Sequence, residues 1–203
     1  MADHTIQLPC SDADVRKLRV GDHVTLQGTL FGIRDATHIH MFDRGRKTRF
    51  DLKGHAVIHT APNVRKVPPS NRCPVGYEPV CIGTTTSARM ERFTRPLMAQ
   101  YGVRMIIGKG GLMQDSLKAF KELGGVYLAI IGGTAALETT WIERIVDVDL
   151  DDLNPESLWQ FQIKDFGPLL VAMDSHGGSI YDTVTGRASD RRAAALAAIG
   201  VKA

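Results

Sequence analysis

The chain has 203 residues, 43% of them hydrophobic and 23% charged, which is enough for one full core and excludes disorder of the whole chain. A formal charge of +3 with only 6% aromatic residues argues against a nucleic-acid partner and suits a small anionic ligand. No apolar run approaches the roughly 20 residues of a membrane span, and the N-terminus lacks the basic start and apolar core of a secretory signal. The expectation is a cytoplasmic protein with no membrane contact.

Ile6 to Leu8 predicts a short strand stopped by Pro9, and Ser11-Asp-Ala-Asp a capped helix turn carrying Val15 and Leu18. Cys10, Cys73 and Cys81 are odd in number and widely spaced, which predicts free thiols and no cluster site built by this chain alone. A long strand follows from about Asp22 to Ile33, ending in Arg34-Asp35, where Asp35 can cap a helix reaching Phe42. Residues 43 to 53 are charged and aperiodic, a solvated loop. Ala56 to Thr60 is a short buried strand, and the prolines between Ala61 and Pro79 preclude regular structure through most of that segment.

Pro79-Val80-Cys81-Ile82 then leads as a strand into Gly83-Thr84-Thr85-Thr86-Ser87-Ala88-Arg89. Met90, Phe93, Leu97 and Tyr101 lie on one helical face, with Pro96 expected to kink or restart the helix. Strands at Val103 to Ile107 and Val126 to Ile131 flank a helix from Leu112 to Leu123. That alternation is a βαβ pattern, and all-apolar strands imply a parallel sheet covered on both faces. In the last third, Ile145, Val148, Leu150 and then Trp159, Phe161, Ile163 alternate with polar residues, which predicts antiparallel, half-exposed strands. Two glycines in Asp174-Ser-His-Gly-Gly-Ser predict a hairpin turn, and Ser189 opens an alanine-rich helix.

Three strand-to-loop junctions carry glycines: Gly83, Gly108-Lys109-Gly110-Gly111 and Gly132-Gly133-Thr134. Amides at a helix start, with four hydroxyls and Arg89, form an array of donors without a carboxylate, a candidate anion site. A plain helix cap is the alternative. Lys109 at the carboxyl end of a parallel strand points into the crevice where such sheets bind ligands, or is a solvated turn lysine. The Walker lysine-serine pair and the dinucleotide glycine fingerprint are both missing. His38 and His40 are two residues apart and face different ways on a helix, so one metal cannot use both. Asp147, Asp149, Asp151 and Asp152 read as a solvated strand end, and His176 as a turn residue.

Taken in order, residues 32 to 38 (Gly-Ile-Arg-Asp-Ala-Thr-His), 83 to 90, 108 to 111 and 159 to 166 (Trp-Gln-Phe-Gln-Ile-Lys-Asp-Phe) resemble one family. It is that of the β subunit, or C-terminal domain, of class I fumarate hydratases and L(+)-tartrate dehydratases, and the similarity covers most of the chain. The resemblance implies an α/β fold, a swivelling β/β/α domain at 1–186 with a mostly parallel central sheet and an antiparallel C-terminal portion, followed by a helical tail at 187–203. It implies a hetero-oligomer, α2β2 being one form, with a cysteine-bearing α subunit that carries a [4Fe–4S] cluster this chain does not ligate. The implied reaction is reversible hydration of fumarate to malate, active only with the α subunit, with L(+)-tartrate dehydration as the alternative. Thr85 matches the threonine thought to act as base, and Arg34, Arg89 and Lys109 match the groups that hold substrate carboxylates. Lys109 also supplies charge to the intermediate, and Thr84, Thr86 and Gly110 line the substrate. A non-enzymatic organic-anion-binding module is the rival from another class.

Overall fold

A computed structural model of the chain describes residues 1–201. In chain order the elements are strand β1 (Asp3–Gln7), helix α1 (Asp12–Arg16), β2 (His23–Ile33), α2 (Asp35–His38), β3 (Ala56–His59), β4 (Asn63–Lys66) and β5 (Tyr77–Cys81). Then come α3 (Glu91–Tyr101), β6 (Met105–Gly108), α4 (Gln114–Leu123), β7 (Val126–Ala129), α5 (Ala135–Thr140), β8 (Ile142–Asp149), β9 (Leu158–Met173) and α6 (Ile180–Ala198). No helix among the described residues is long and apolar enough to cross a membrane.

Seven strands form one sheet in the order β1-β2-β3-β6-β7-β9-β8. The first five of these are parallel to their neighbours, and β9 runs antiparallel to β2, β7 and β8. Leu170 of β9 lies opposite both His23 of β2 and Ala129 of β7, so this one long strand closes the sheet on itself. The architecture is the mixed α/β one expected, a mostly parallel sheet with an antiparallel C-terminal part.

Alternation along the short strands sorts the core into two layers. Ile58, Ile107 and Leu128 turn to the core that holds Leu26, Trp159 and Phe161, and their neighbours Val57, Ile106 and Tyr127 pack with Leu97, Met98 and Phe120 of the helices. Helices therefore cover one face of the parallel strands. The other face is covered by β8, β9 and a two-stranded ribbon, which is why every residue of β3 and β6 is buried.

Several local expectations change. Asp35 is the first residue of α2, not its cap, and a π-helical turn at Ile39–Asp43 extends the helix. Part of the proline-rich segment is regular: β4 and β5 pair antiparallel, with Pro79 opposite Val64. A two-stranded ribbon has outer edges that need no ladder hydrogen bond, so it tolerates the proline. Tyr77 fixes the ribbon by stacking edge-on against Trp159, with centroids 5.2 Å apart, and donating its hydroxyl to Asp151. The strand before Gly83 thus belongs to this ribbon and not to the parallel sheet.

Helix α3 runs unbroken through Pro96. The carbonyl that Pro96 leaves unpaired belongs to exposed Arg92, where water can satisfy it. Ile131 lies beyond β7 and is 75% exposed. The glycines after Asp174 make a strand-to-helix turn, not a hairpin, and Ser179 instead of Ser189 caps α6 by accepting the Asp182 N–H. The acidic run is not simply solvated. Asp147 and Asp152 form two-pronged pairs with Arg49 and Arg46, and Asp149 accepts from Thr48, so the loop after α2 is tied to the end of β8.

Candidate functional site

The carboxyl ends of β2, β3, β6 and β7 lie side by side in the sheet, and the loops leaving them carry the residues singled out in the sequence. The loop from Gly83 to Met90 is laid across these ends. Thr60 donates its hydroxyl to Gly83 O at 2.8 Å, Thr85 N–H donates to His59 O at 2.8 Å, and Ser87 N–H donates to Lys109 O at 2.9 Å. Thr86 pairs with Lys109 as an isolated parallel bridge. Thr84 to Ser87 are therefore held by backbone bonds to two sheet strands, which is more constraint than a simple helix cap provides.

Beneath this loop runs a buried relay. Tyr127 Oη lies 2.9 Å from Ser87 Oγ, and Ser87 Oγ lies 2.9 Å from His59 Nδ1. Burial pushes the Tyr127 phenol up, so it stays protonated and donates to Ser87. Ser87, with one hydrogen and two lone pairs, can either give its hydrogen to His59 Nδ1 or accept an Nδ1–H as well, so the contact is satisfied in both His59 tautomers. Burial also pushes His59 well below the usual imidazole range, with the neighbouring His38 adding to the effect. Neutral His59 stands edge-on to His38, centroids 5.7 Å apart, and His38 is held down to about 4 by burial. Sequence reasoning missed His59; its mark was an uncommon polar residue at the end of a buried strand.

Gly108 is needed where this relay crosses β6. A Cβ there would lie 1.9 Å from Ser87 Oγ and 3.1 Å from Tyr127 OH. Gly108→Ala should therefore destabilise the chain by about 1–3 kcal/mol, read as a lower urea midpoint with unchanged slope. An unchanged midpoint would show that the relay can shift freely.

Arg34 and Arg89 meet around Asp35. Arg89 Nη2 lies 2.9 Å from Asp35 Oδ2 and 3.0 Å from Thr85 Oγ1, and Arg34 Nε lies 3.4 Å from both Asp35 Oδ2 and Glu156 Oε1. Arg34 Nε and Thr84 Oγ1 are buried atoms without a hydrogen-bond partner within the chain. Burial opposes ionisation of Asp35, but the hydrogen bond and charge of Arg89 outweigh it and leave the carboxyl below its usual range. Glu156, which sequence reasoning also missed, accepts the Ala36 N–H at 2.7 Å and so holds the first turn of α2.

Lys109 lies on the other side of Thr86. Gly110 and Gly111, both at φ +77°, let the chain turn sharply after it, and its stem rests against Gly132. The Glu91 carboxylate secures the end of this turn by accepting the Met113 and Ser116 N–H groups, each at 2.8 Å. The third glycine junction also belongs here, because Thr84 N–H and Thr134 Oγ1 meet on Glu138. Sequence-predicted residues thus form two groups: Arg34 and Arg89 about Asp35, with Thr85 on Arg89, and Lys109 against Gly132, with Thr86 against Gly110. The 83–89 loop joins them.

No group of three or more metal-binding side chains occurs among the described residues. His38 bonds Arg34 O through Nδ1 while His40 contacts Arg44 and Arg46. Cys10 does not suit iron ligation: it donates to Gly54 O, and burial, with the Asp14 charge, pushes its thiol up to about 11, against the thiolate that iron requires.

Comparison with known proteins gives consistent results. A protein of Methanocaldococcus jannaschii provisionally named L(+)-tartrate dehydratase subunit beta is 43% identical over 176 residues, 84% of this chain and 87% of that protein. L(+)-tartrate dehydratase subunit beta of Escherichia coli is 39% identical over 176 residues, 85% of this chain and 83% of that protein. A Geobacillus stearothermophilus protein provisionally named fumarate hydratase class I is 38% identical over 181 residues, 89% of this chain but 34% of that protein. The family model described as Fumarase C-terminus matches residues 2–184, and by that span the chain belongs to the Fumarase C-terminus family.

Proposed function

We propose that the chain is the β subunit of a heteromeric iron–sulfur hydro-lyase that hydrates fumarate reversibly and is active only with a cysteine-bearing α subunit. The observation that carries this is the contact between the Arg89 guanidinium and the Thr85 hydroxyl at 3.0 Å, in a loop held by the sheet ends. An alcohol is a poor base unless its alkoxide is stabilised, and a guanidinium hydrogen bond does that. Arg34, Arg89 and Lys109 bind the substrate carboxylates, with Thr84, Thr86 and Gly110 lining the site. Each charged hydrogen bond contributes about 1.5–3 kcal/mol. Removal of the α-proton from malate pushes negative charge onto the adjacent carboxylate, and Lys109 faces that charge. Asp35 neutralises the arginines until a substrate carboxylate shares them.

The [4Fe–4S] cluster belongs to the α subunit in this scheme. The relatives named as subunit beta match over most of their own length, which favours a separate partner chain and makes L(+)-tartrate the second substrate to test. Co-expression with the cysteine-bearing subunit under anaerobic conditions should give fumarate hydration; tartrate dehydration instead would select the second substrate. An assembled pair with an intact cluster that acts on neither diacid would overturn the assignment. Tight binding of an organic anion by the chain alone, seen by calorimetry, would favour a binding module.

A further inference from the structure

Glu138 on α5 is a buried carboxylate outside every motif noted in the sequence, with 1% exposure. Its Oε2 accepts the Thr84 N–H at 3.2 Å, and its Oε1 lies 2.8 Å from Thr134 Oγ1. The next residue, Thr139, accepts the Ile82 N–H through its hydroxyl at 2.8 Å. One turn of α5 thus holds both sides of Gly83, ending one residue before Thr85. Lys109 is the charged group that acts on Glu138, and its stem lies against Gly132 at the entry to α5.

Hydrogen counting gives Glu138 two acceptable states. The single Thr134 hydroxyl hydrogen has two acceptors in reach, Ile131 O and Glu138 Oε1. If it goes to Glu138, the carboxylate is ionised. If it goes to Ile131 O, a proton on Glu138 Oε1 completes the contact with Thr134. The Thr84 N–H is accepted in both states. Burial favours the protonated one and raises the carboxyl above its usual range, against the pull of Thr134, Thr84 and Lys109.

We propose that Glu138 is the positioning residue of this site: it holds the Gly83–Thr84 peptide, one residue before Thr85, in either protonation state and, when ionised, supplies the countercharge for the Lys109 ammonium. The catalytic part of the inference rests on the hydro-lyase assignment, which it extends to a residue that does not touch the substrate.

The experiment compares Glu138→Gln and Glu138→Ala in the assembled enzyme with the parent, using fumarate and L(+)-tartrate. Glutamine can still accept from Thr84 and can donate to Thr134, so kcat should stay within about tenfold while the limb of the pH–rate profile due to Glu138 disappears. Alanine should cost about a hundredfold in kcat with a smaller change in KM, because the Gly83–Thr84 peptide beside Thr85 loses its support. Urea unfolding of the full chain against pH provides a readout independent of catalysis. With a folded pKa above 4.5, the parent should lose stability relative to Glu138→Gln as pH rises through that raised value. Parallel stability curves together with superimposable pH–rate profiles would overturn the proposal. A parent enzyme inactive on both diacids would overturn the hydro-lyase assignment alone, since the stability comparison still tests Glu138.

Discussion

Replacing Lys109 by alanine should lower kcat for dicarboxylate turnover by about 10²–10³-fold, the loss typical of one preorganised group facing developing negative charge. The turn that carries Lys109 is held by its backbone. Lys109 O accepts the Ser87 N–H at 2.9 Å, and its neighbours Gly110 and Gly111 supply the positive φ angles. Truncating the side chain therefore removes charge and leaves the loop in place. Lys109→Met, which keeps an apolar stem against Gly132, should be as inactive as alanine. Lys109→Arg should recover little, because a planar fork does not fit where a point charge is turned between glycines. Steady-state kinetics on the assembled enzyme, with circular dichroism as the check on folding, decide the matter. Retention of activity within about threefold would remove Lys109 from the site.

Acidification should unfold the chain earlier than its carboxylates alone require. His38 has an ordinary value of 6.5 that burial lowers to about 4 in the folded chain, so the native state is favoured while the ring is neutral. That contribution is fully present above 6.5 and is lost progressively as pH falls towards 4. By about pH 4.5 it amounts to a loss of about 2–3 kcal/mol from this one ring, and buried His59 shifts in the same direction. Glu138, raised by burial, acts with the opposite sign and softens the decline.

His38→Phe isolates the effect. The ring lies stacked 4.9 Å from Phe93, and Arg34 O keeps the His38 N–H as a partner when the imidazole is gone. The variant should be close to the parent in stability near neutral pH and more stable than it in acid, as urea titrations across that range would show. An unchanged difference at every pH would mean that His38 does not carry the acid sensitivity.

The parts of the site that could be recognised in the sequence share one property. Gly83, Gly108 and Gly132 each follow a run of apolar residues, and local chain direction alone places Thr85, Arg89 and Lys109 at the ends of such runs. Glu138, Glu156 and His59 were not recognisable, because they act through partners 54, 120 and 28 residues away. No spacing rule links such residues. The two-group layout of the cations has the same origin: Asp35 draws Arg34 and Arg89 together, and the Lys109 stem lies against Gly132 instead.

By itself the sequence determined the parallel strands, the helices between them, the antiparallel end and the three glycine turns. Apolar periodicity and turn chemistry act over a few residues and are written locally. Only the tertiary structure decided that β9 closes the sheet against both β2 and β7, and that the proline-rich segment forms a ribbon over the core. It also decided that a buried carboxylate ties two of the glycine loops together. Those outcomes depend on which buried polar groups find partners across long loops, and that is settled by packing.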